Sequence, residues 1–176
     1  DKYCAKLKSY RILPRELKEV LELIPKTTHP MDVMRTGCSM LGNLEPEGDF
    51  SNQSETADRI LALLPSIITY WYLFSHEGKS VDTATDHQTM GGQFLSLLTG
   101  GEPSEEHARA LDVSLVLYAE HGFNASTFTA RICASTLSDM HSCITGAIGT
   151  LRGSLHGGAN EAAMAMIEKF SSREEA

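Results

Sequence analysis

Apolar residues recur at steps of three and four along much of the chain, a spacing that places them on one face of an α-helix. In the first such segment they are Leu13, Leu17, Val20, Leu21 and Ile24, and Pro25 ends the pattern. Similar patterns predict seven further helices, over residues 31–41, 54–76, 90–98, 104–121, 125–137, 139–151 and 160–170. No segment alternates apolar and polar residues as a half-buried strand does. The predicted fold class is therefore all-α, with many short helices joined by tight turns.

Single residues near the ends of these helices favour helix starts and stops. Pro30 suits the first turn of the second helix, because the N–H that it lacks would be unpaired there in any case. Ser54, Ser104 and Asp139 can each accept a hydrogen bond from the free N–H groups at a helix start. Gly100 lies where a C-terminal glycine commonly ends a helix. These residues predict most of the boundaries between helices and loops.

The helix over residues 54–76 is apolar on more than one face. Its apolar residues include Ile60, Leu64, Ile67, Ile68, Trp71 and Leu73. A helix exposed on one side does not need so many, so we expect this one to be buried within a bundle or at a subunit contact. Pro65 removes one backbone hydrogen bond and is expected to kink it. In the helix over residues 139–151, Gly146 and Gly149 predict the close approach of a neighbouring helix.

Composition places the chain among globular proteins. Of its 176 residues, 41% are hydrophobic and 22% are charged, a balance that supports a buried core. The formal net charge of −8 argues against nucleic acid and anionic lipid as partners, and an anionic substrate would need a local cluster of cations. No apolar run approaches the roughly 20 residues that cross a bilayer, and the N-terminus lacks a basic segment followed by an apolar one. The expected compartment is the cytoplasm.

The chain has no recognisable motif for metal binding or for nucleophilic catalysis. The four cysteines share no CxxC spacing; they are Cys4, Cys38, Cys133 and Cys143. We interpret them as reduced packing thiols, since a reactive cysteine would need a histidine within reach. The seven histidines form no HExxH or other compact ligand spacing, so a metal site would have to be assembled from distant parts of the chain. The glycine-rich signatures of nucleotide-binding proteins and the GxSxG of hydrolases are also absent.

Two of the histidines lie at predicted helix junctions, where loops held by rigid elements commonly carry catalytic groups. His121 ends one helix, and His156 lies just before the start of the last one. Gly157 and Gly158 allow a ligand or a second backbone to approach His156, and the positive end of the following helix favours a neutral imidazole. A neutral ring there can donate a hydrogen bond to a carbonyl group. From spacing alone, His156 is equally well explained as a residue that fills a turn.

Two sequence blocks contain these histidines: LYAEHGFNASTFTAR over residues 117–131 and GAIGTLRGSLHGGANE over residues 146–161. Together they resemble the central signature of citrate synthases, and the match is specific. HPMDVMRT over residues 29–36, taken with the first block, is more similar to bacterial 2-methylcitrate synthases than to ordinary citrate synthases. The resemblance extends over essentially the whole chain but only over the middle of a family member. It implies that residues 1–176 are a single helical domain, the central part of the family's large domain, without its N-terminal segment and C-terminal small domain.

The resemblance implies an acyltransferase that condenses propionyl-CoA with oxaloacetate to 2-methylcitrate and CoA, in propionate catabolism. The CoA thioester is a substrate, and neither a cofactor nor a metal is implied. His156 corresponds to the catalytic histidine that donates a hydrogen bond to the thioester carbonyl, and His121 to the histidine that contacts oxaloacetate. Asn124 is a further substrate-binding candidate, and Ser126 would orient His156. Family members are homodimers, and the apolar helix over residues 60–73 is of the type that such an interface uses.

The chain departs from the family pattern in ways that bear on activity. Ser154 stands where the family usually has proline, which would loosen the loop before His156. The resemblance places the catalytic aspartate, a second catalytic histidine and the arginines that bind oxaloacetate beyond Ala176, and neither Arg131 nor Arg152 is expected to replace those arginines. This chain alone is therefore predicted to be inactive. Two alternatives stay open: a citrate synthase that uses acetyl-CoA, and a non-catalytic helical interaction module.

Overall fold

The computed structural model describes residues 2–119 and 122–172, which form nine α-helices and one short 3-10 turn. The helices are α1 Lys2–Ser9, α2 Arg15–Glu22, α3 Pro30–Leu44, α4 Gln53–Glu77, α5 Met90–Thr99, α6 Glu105–Tyr118, α7 Ala125–Ser135, α8 Met140–Leu151 and α9 Gly158–Ile167. The 3-10 turn, Phe50–Asn52, leads directly into α4. None of the described residues lies in a β-strand, so the all-α prediction is confirmed. Within the same residues, no helix combines the length and the apolar character that crossing a membrane requires.

Helix α4 lies at the centre of the hydrophobic core. Its Leu63, Ile67 and Trp71 are almost completely buried, and α2, α3 and α8 pack around the helix. The indole N–H of Trp71 donates to the carbonyl oxygen of Ile24 at 3.2 Å. The helix continues through Pro65, so the missing N–H does not end it. The predicted burial of this helix is confirmed, and the core that buries it is formed by the chain itself.

A buried arginine holds the irregular segment that joins α4 to α5. Arg11 is 1% exposed, and its guanidinium is surrounded by backbone acceptors. It donates to the carbonyl oxygens of Thr85, His87 and Thr89 at 3.1, 2.6 and 3.3 Å. A buried guanidinium is costly unless its N–H groups find acceptors, and these three carbonyl groups supply them. The arginine and the polar segment therefore stabilise each other, and α5 starts directly after the segment.

Most of the predicted helix ends are confirmed. Pro30 is the first residue of α3, and the Ser104 hydroxyl accepts a backbone N–H at 3.2 Å at the start of α6. At the start of α8 the Asp139 carboxylate accepts a backbone N–H at 2.9 Å. Gly100 ends α5 in a left-handed conformation with φ of 70°. The prediction that Ser54 caps α4 is wrong, because the 3-10 turn already runs into the helix one residue earlier.

Helix α1 is not predicted by the sequence pattern. Only Leu7 of this helix is buried, so it shows little apolar periodicity. Long-range polar contacts hold it against α4 instead. The Lys6 ammonium lies 2.8 Å from Asp58 Oδ2, and the hydroxyl of Tyr10, just after the helix, donates to Glu55 Oε1 at 2.6 Å. Partners so far apart in sequence leave no local signal.

The predicted close packing at Gly146 and Gly149 is wrong. A Cβ atom at Gly146 would lie 3.5 Å from Thr129 Cγ2, and one at Gly149 would lie 3.6 Å from an arginine side chain, both ordinary van der Waals distances. The close approach occurs on α3, where a Cβ atom at Gly37 would lie 2.6 Å from Ile67 Cγ2. Gly37 is therefore a small residue that lets α3 approach α4 closely.

His141, near the start of α8, is buried with no hydrogen-bond partner for either ring nitrogen among the described residues. It is 3% exposed and packs against α3, where a Cβ atom at Gly42 would lie 2.7 Å from the Cβ atom of His141. Burial lowers the pKa of His141, and the carboxylates of Asp139, Glu45 and Glu47 oppose this shift only in part. The folded protein therefore favours the neutral ring at this position.

This burial predicts that stability depends on pH. Below the ordinary histidine pKa of about 6.5 the unfolded chain binds a proton at His141 more readily than the folded chain does, so the free energy of unfolding decreases as the pH falls. We expect the urea midpoint to fall between about pH 7.5 and about pH 5.5, and to fall less in a His141→Phe variant. At the higher pH the variant should be at least as stable, since no hydrogen bond is lost. An equal pH response in the two proteins would contradict this prediction.

Candidate active site

Helices α7 and α8 form an antiparallel hairpin, because only residues 136–139 join them. Leu137 completes the turn with φ of 62°, a left-handed conformation that is uncommon for residues other than glycine. This turn ends α7 before the predicted boundary. Along the pair, the Thr150 hydroxyl donates to Thr129 Oγ1 at 2.9 Å. The start of α7 consequently lies beside the end of α8.

The segment after α8 folds into a compact turn that carries His156. The N–H of Gly157 donates to the Leu151 carbonyl oxygen at 2.8 Å, and the N–H of His156 donates to that of Gly153 at 2.9 Å. A Cβ atom at Gly157 would overlap the Leu151 carbonyl oxygen, so only glycine fits there. The expected approach of a second backbone at the glycines beside His156 is confirmed. Helix α9 then begins at Gly158, slightly earlier than predicted.

A short chain of hydrogen bonds connects His156 to the start of α7. His156 Nε2 lies 3.0 Å from the Ser126 hydroxyl oxygen, and that hydroxyl donates to Asn124 Oδ1 at 2.7 Å. Asn124 Oδ1 also accepts the Thr127 backbone N–H at 2.7 Å, which makes Asn124 the N-cap of α7. The imidazole is half-buried. The cap of α7 and the orientation of His156 therefore depend on the same amide group.

The structure brings together three of the four residues predicted for the site. Ser126 contacts the His156 ring directly, and Asn124 joins them through Ser126. Because the α7 cap and Ser126 occupy the Asn124 amide oxygen, the amide nitrogen is the group left to contact a substrate. His121 lies outside the described residues. The catalytic role of His156 and the substrate-binding roles of His121 and Asn124 stay predictions.

Two polar contacts attach this region to the start of α3. His29 Nε2 lies 2.9 Å from Glu161 Oε1 on α9, and Arg152 Nε lies 3.3 Å from Asp32 Oδ2. His29 also accepts a backbone N–H on Nδ1 at 3.1 Å, so it caps α3. The contact between His29 and Glu161 is not predicted by the sequence, where the only local signal is a histidine before the proline that starts a helix. Arg152, which directly follows α8, thus forms an ion pair with α3.

The four cysteines are free thiols. Burial raises the pKa of the Cys38 thiol, and burial together with a hydrogen bond to Cys133 raises the pKa of Cys143 to about 11. A nucleophilic cysteine needs the opposite shift, because the thiolate is the reactive form. Cys38 and Cys143 therefore pack in the interior, as predicted.

Known proteins resemble this chain over its whole length. A family model described as the citrate synthase C-terminal domain matches residues 1–176. The chain is 66% identical over 174 residues to a 2-methylcitrate synthase of Shewanella oneidensis, covering 99% of this chain and 46% of that protein. It is 43% identical over 178 residues to a citrate synthase of Deinococcus radiodurans, covering 99% of this chain and 47% of that protein. The chain thus spans less than half the length of these relatives.

A solved structure shares the arrangement of helices. Citrate synthase from Thermoplasma acidophilum, in a ternary complex with carboxymethyl coenzyme A and oxaloacetate, gives a TM-score of 0.85, covering 97% of this chain and 45% of that one. The two sequences are 24% identical, so this likeness shows a common fold and nothing further.

Proposed function

Because the chain belongs to the citrate synthase family, we propose that the protein of which it forms part is a 2-methylcitrate synthase. The observation that carries this proposal is the 66% identity to the Shewanella oneidensis 2-methylcitrate synthase over 99% of the chain. The identity to the Deinococcus radiodurans citrate synthase is lower, at 43%. We therefore favour propionyl-CoA over acetyl-CoA as the acyl substrate, and propionate catabolism as the process served.

The proposed reaction joins propionyl-CoA to oxaloacetate. Removal of a proton from the α-carbon of the thioester gives an enolate, whose α-carbon then forms a bond to the keto carbon of oxaloacetate. Water hydrolyses the thioester and releases 2-methylcitrate and CoA. Negative charge develops on the thioester oxygen in the first step, and a fixed hydrogen-bond donor lowers the energy of that charge. His156 is the proposed donor.

The contacts around His156 support this role. Ser126 occupies Nε2, so Nδ1 is the ring nitrogen that remains for the thioester oxygen. The bond to Ser126 and the compact turn both hold the ring in place, so the direction in which Nδ1 points is set before charge develops. His121 and Asn124 are proposed to contact oxaloacetate. The proposed reaction needs no cofactor or metal.

Other groups of the proposed reaction would come from parts of the protein outside these 176 residues. They are the aspartate that removes the α-proton, a second catalytic histidine and the arginines that neutralise the two carboxylates of oxaloacetate. A chain with a formal net charge of −8 would repel a dianion unless cations gather at the site. The isolated 176-residue polypeptide is therefore expected to form no product.

We further propose that the whole protein is a cytoplasmic homodimer. Large apolar side chains on or beside α6, α7 and α8 are exposed in this chain and support an interface; they include Val116, Leu117, Tyr118, Phe123, Phe128 and Leu155. Helix α4, which the sequence pattern favours for that interface, instead contributes most of its apolar residues to the core of its own chain. Light scattering of the whole protein should give the mass of two chains, and a monomer would contradict the dimer. Cell fractionation checks the compartment, and recovery with membranes would contradict it.

Steady-state kinetics of the whole protein tests the activity. Release of the CoA thiol is followed with oxaloacetate and either propionyl-CoA or acetyl-CoA. We expect kcat/KM to be higher for propionyl-CoA by about 10- to 200-fold, the range that one methylene group supplies in an apolar pocket. A preference for acetyl-CoA would identify a citrate synthase instead. No turnover of either thioester would favour the non-catalytic module.

A further inference from the structure

We propose that Asn124 is a positioning residue that sets the tautomer of His156 through Ser126. The tautomer decides which ring nitrogen carries the proton in the neutral imidazole, and hence which one can donate a hydrogen bond. The tautomer itself is inferred from the described hydrogen bonds. Its consequence for catalysis rests on the function proposed above.

The cap of α7 determines the orientation of the Asn124 amide. The backbone N–H of Thr127 can only donate, so the amide atom 2.7 Å from it is the oxygen, Oδ1. The Ser126 hydroxyl oxygen lies 2.7 Å from the same Oδ1. Because Oδ1 carries no proton, Ser126 is the donor in that bond. A hydroxyl has one proton, so Ser126 has only lone pairs left for any other partner.

This leaves a single role for His156 in its contact with Ser126. The two atoms, Nε2 and the hydroxyl oxygen, lie 3.0 Å apart, so a proton lies between them. Ser126 has already donated its proton to Asn124, and Nε2 must therefore carry this one. In the neutral ring Nδ1 is then an acceptor with a lone pair. Asn124 holds His156 in the Nε2–H tautomer without touching it.

The Nε2–H tautomer cannot donate from Nδ1 to a thioester oxygen. Donation becomes possible when the Ser126 hydroxyl turns away from Asn124 and donates to Nε2 instead. Nδ1 first takes up a proton from water and Nε2 then releases its own proton to water, which frees the Nε2 lone pair to accept from Ser126. The ring is neutral before and after this exchange and carries a positive charge only in between. The hydroxyl of Ser126 thus has two positions, and Asn124 favours the one in which His156 is not yet a donor. The thioester carbonyl, by accepting from Nδ1–H, favours the other.

Two substitutions at position 124 are expected to shift this tautomer in opposite directions. Asn124→Asp places a carboxylate beside the Ser126 hydroxyl, a stronger acceptor that holds the hydroxyl more firmly and keeps His156 as Nε2–H. Asn124→Ala removes the acceptor, so Ser126 is free to donate to Nε2 and the Nδ1–H form increases. Ser126→Ala breaks the connection and leaves a mixture of both forms, while the Asn124 oxygen still caps α7.

Long-range proton–nitrogen NMR spectra of the whole protein, labelled with ¹⁵N at histidine, test the proposal at a pH where imidazole is neutral. The signals of His156 are those lost in a His156→Gln variant. We expect the Nε2–H pattern in the parent and in Asn124→Asp, and a shift of the Nδ1 resonance toward its protonated position in Asn124→Ala and Ser126→Ala. Ser104→Ala, which removes a comparable cap from α6, is the control and should leave His156 unchanged. A parent in the Nδ1–H form, or a tautomer unaffected by Ser126→Ala, would overturn the proposal.

Kinetic measurements separate this proposal from the proposed function. If His156 must become a donor at Nδ1, Asn124→Asp should lower kcat/KM for the acyl-CoA about tenfold even at saturating oxaloacetate, because the competent ring is populated less often. Saturation with oxaloacetate removes the effect of weaker oxaloacetate binding at position 124. If Asn124→Asp gave the expected spectra but left kcat/KM unchanged, the tautomer of His156 would not affect catalysis. If the protein turned over neither thioester but gave the expected spectra, the proposed function would be wrong. The effect of Asn124 on the His156 tautomer would still hold.

Discussion

Replacement of His156 by alanine in the whole protein is expected to lower kcat about 100- to 1,000-fold, the cost of removing one fixed donor to a developing oxyanion. The effect should fall on kcat, because the thioester oxygen acquires its charge only as the α-proton leaves. The KM for oxaloacetate should change little, since the proposed contact is with the thioester. Steady-state kinetics with propionyl-CoA and oxaloacetate measures both quantities. This substitution separates an enzyme from a non-catalytic helical module more sharply than any other in the chain.

A second histidine supplies the control. His107 is exposed on α6, so His107→Ala makes the same chemical change at a position outside the site. It should retain the kcat of the parent. If His156→Ala were as active as His107→Ala, His156 would be a residue that merely fills its turn.

Gly157→Ala is expected to lower kcat about 100-fold, the factor that a catalytic group loses when it is misplaced by roughly 1 Å. The added Cβ atom would overlap the Leu151 carbonyl oxygen and lie 3.1 Å from Leu151 Cδ1. The turn must open to accept it, and His156 moves away from Ser126. Overpacking of this kind should also reduce the free energy of unfolding by about 1–3 kcal/mol. Kinetics and urea denaturation measure the two effects independently.

Gly146→Ala is the matched control for this substitution. Gly146 lies within α8, and a Cβ atom there would be 3.5 Å from Thr129 Cγ2, an ordinary van der Waals contact. Alanine favours a helix over glycine by about 1 kcal/mol. The kcat of Gly146→Ala should match that of the parent protein, and its urea midpoint should be equal or higher. Equal behaviour of the two alanine variants would show that the turn at Gly157 tolerates a side chain.

Sequence pattern predicts the helices best where the signal and its effect lie within one turn. Ser104 and Asp139 cap helices through N–H groups three residues further on, and Gly100 ends α5 by its own backbone conformation. None of these depends on what packs against the helix. Leu137 shows the limit of this approach. Its left-handed backbone ends α7, although leucine by itself favours a helix.

The candidate site is predicted in part for the same reason. The glycines beside His156 mark a turn that a second backbone approaches, and family resemblance adds Ser126 as the residue that orients the ring. Asn124 was assigned to substrate binding, and its second role as the cap that fixes the Ser126 hydroxyl depends on three groups meeting in space. Ser126 and His156 are 30 residues apart in sequence, and the α7–α8 hairpin brings them together.

The sequence by itself determined the all-α class, most helix boundaries and the turn that carries His156, because periodicity, caps and glycines act over a few neighbouring residues. Only the tertiary structure decided the burial of Arg11, the polar attachment of α1 to α4 and the link from Asn124 to His156. Each of these three features brings together groups that are distant in sequence or that compete for a single proton. The stabilisation that each group contributes depends on the partner that tertiary packing places next to it, and no local sequence pattern specifies that partner.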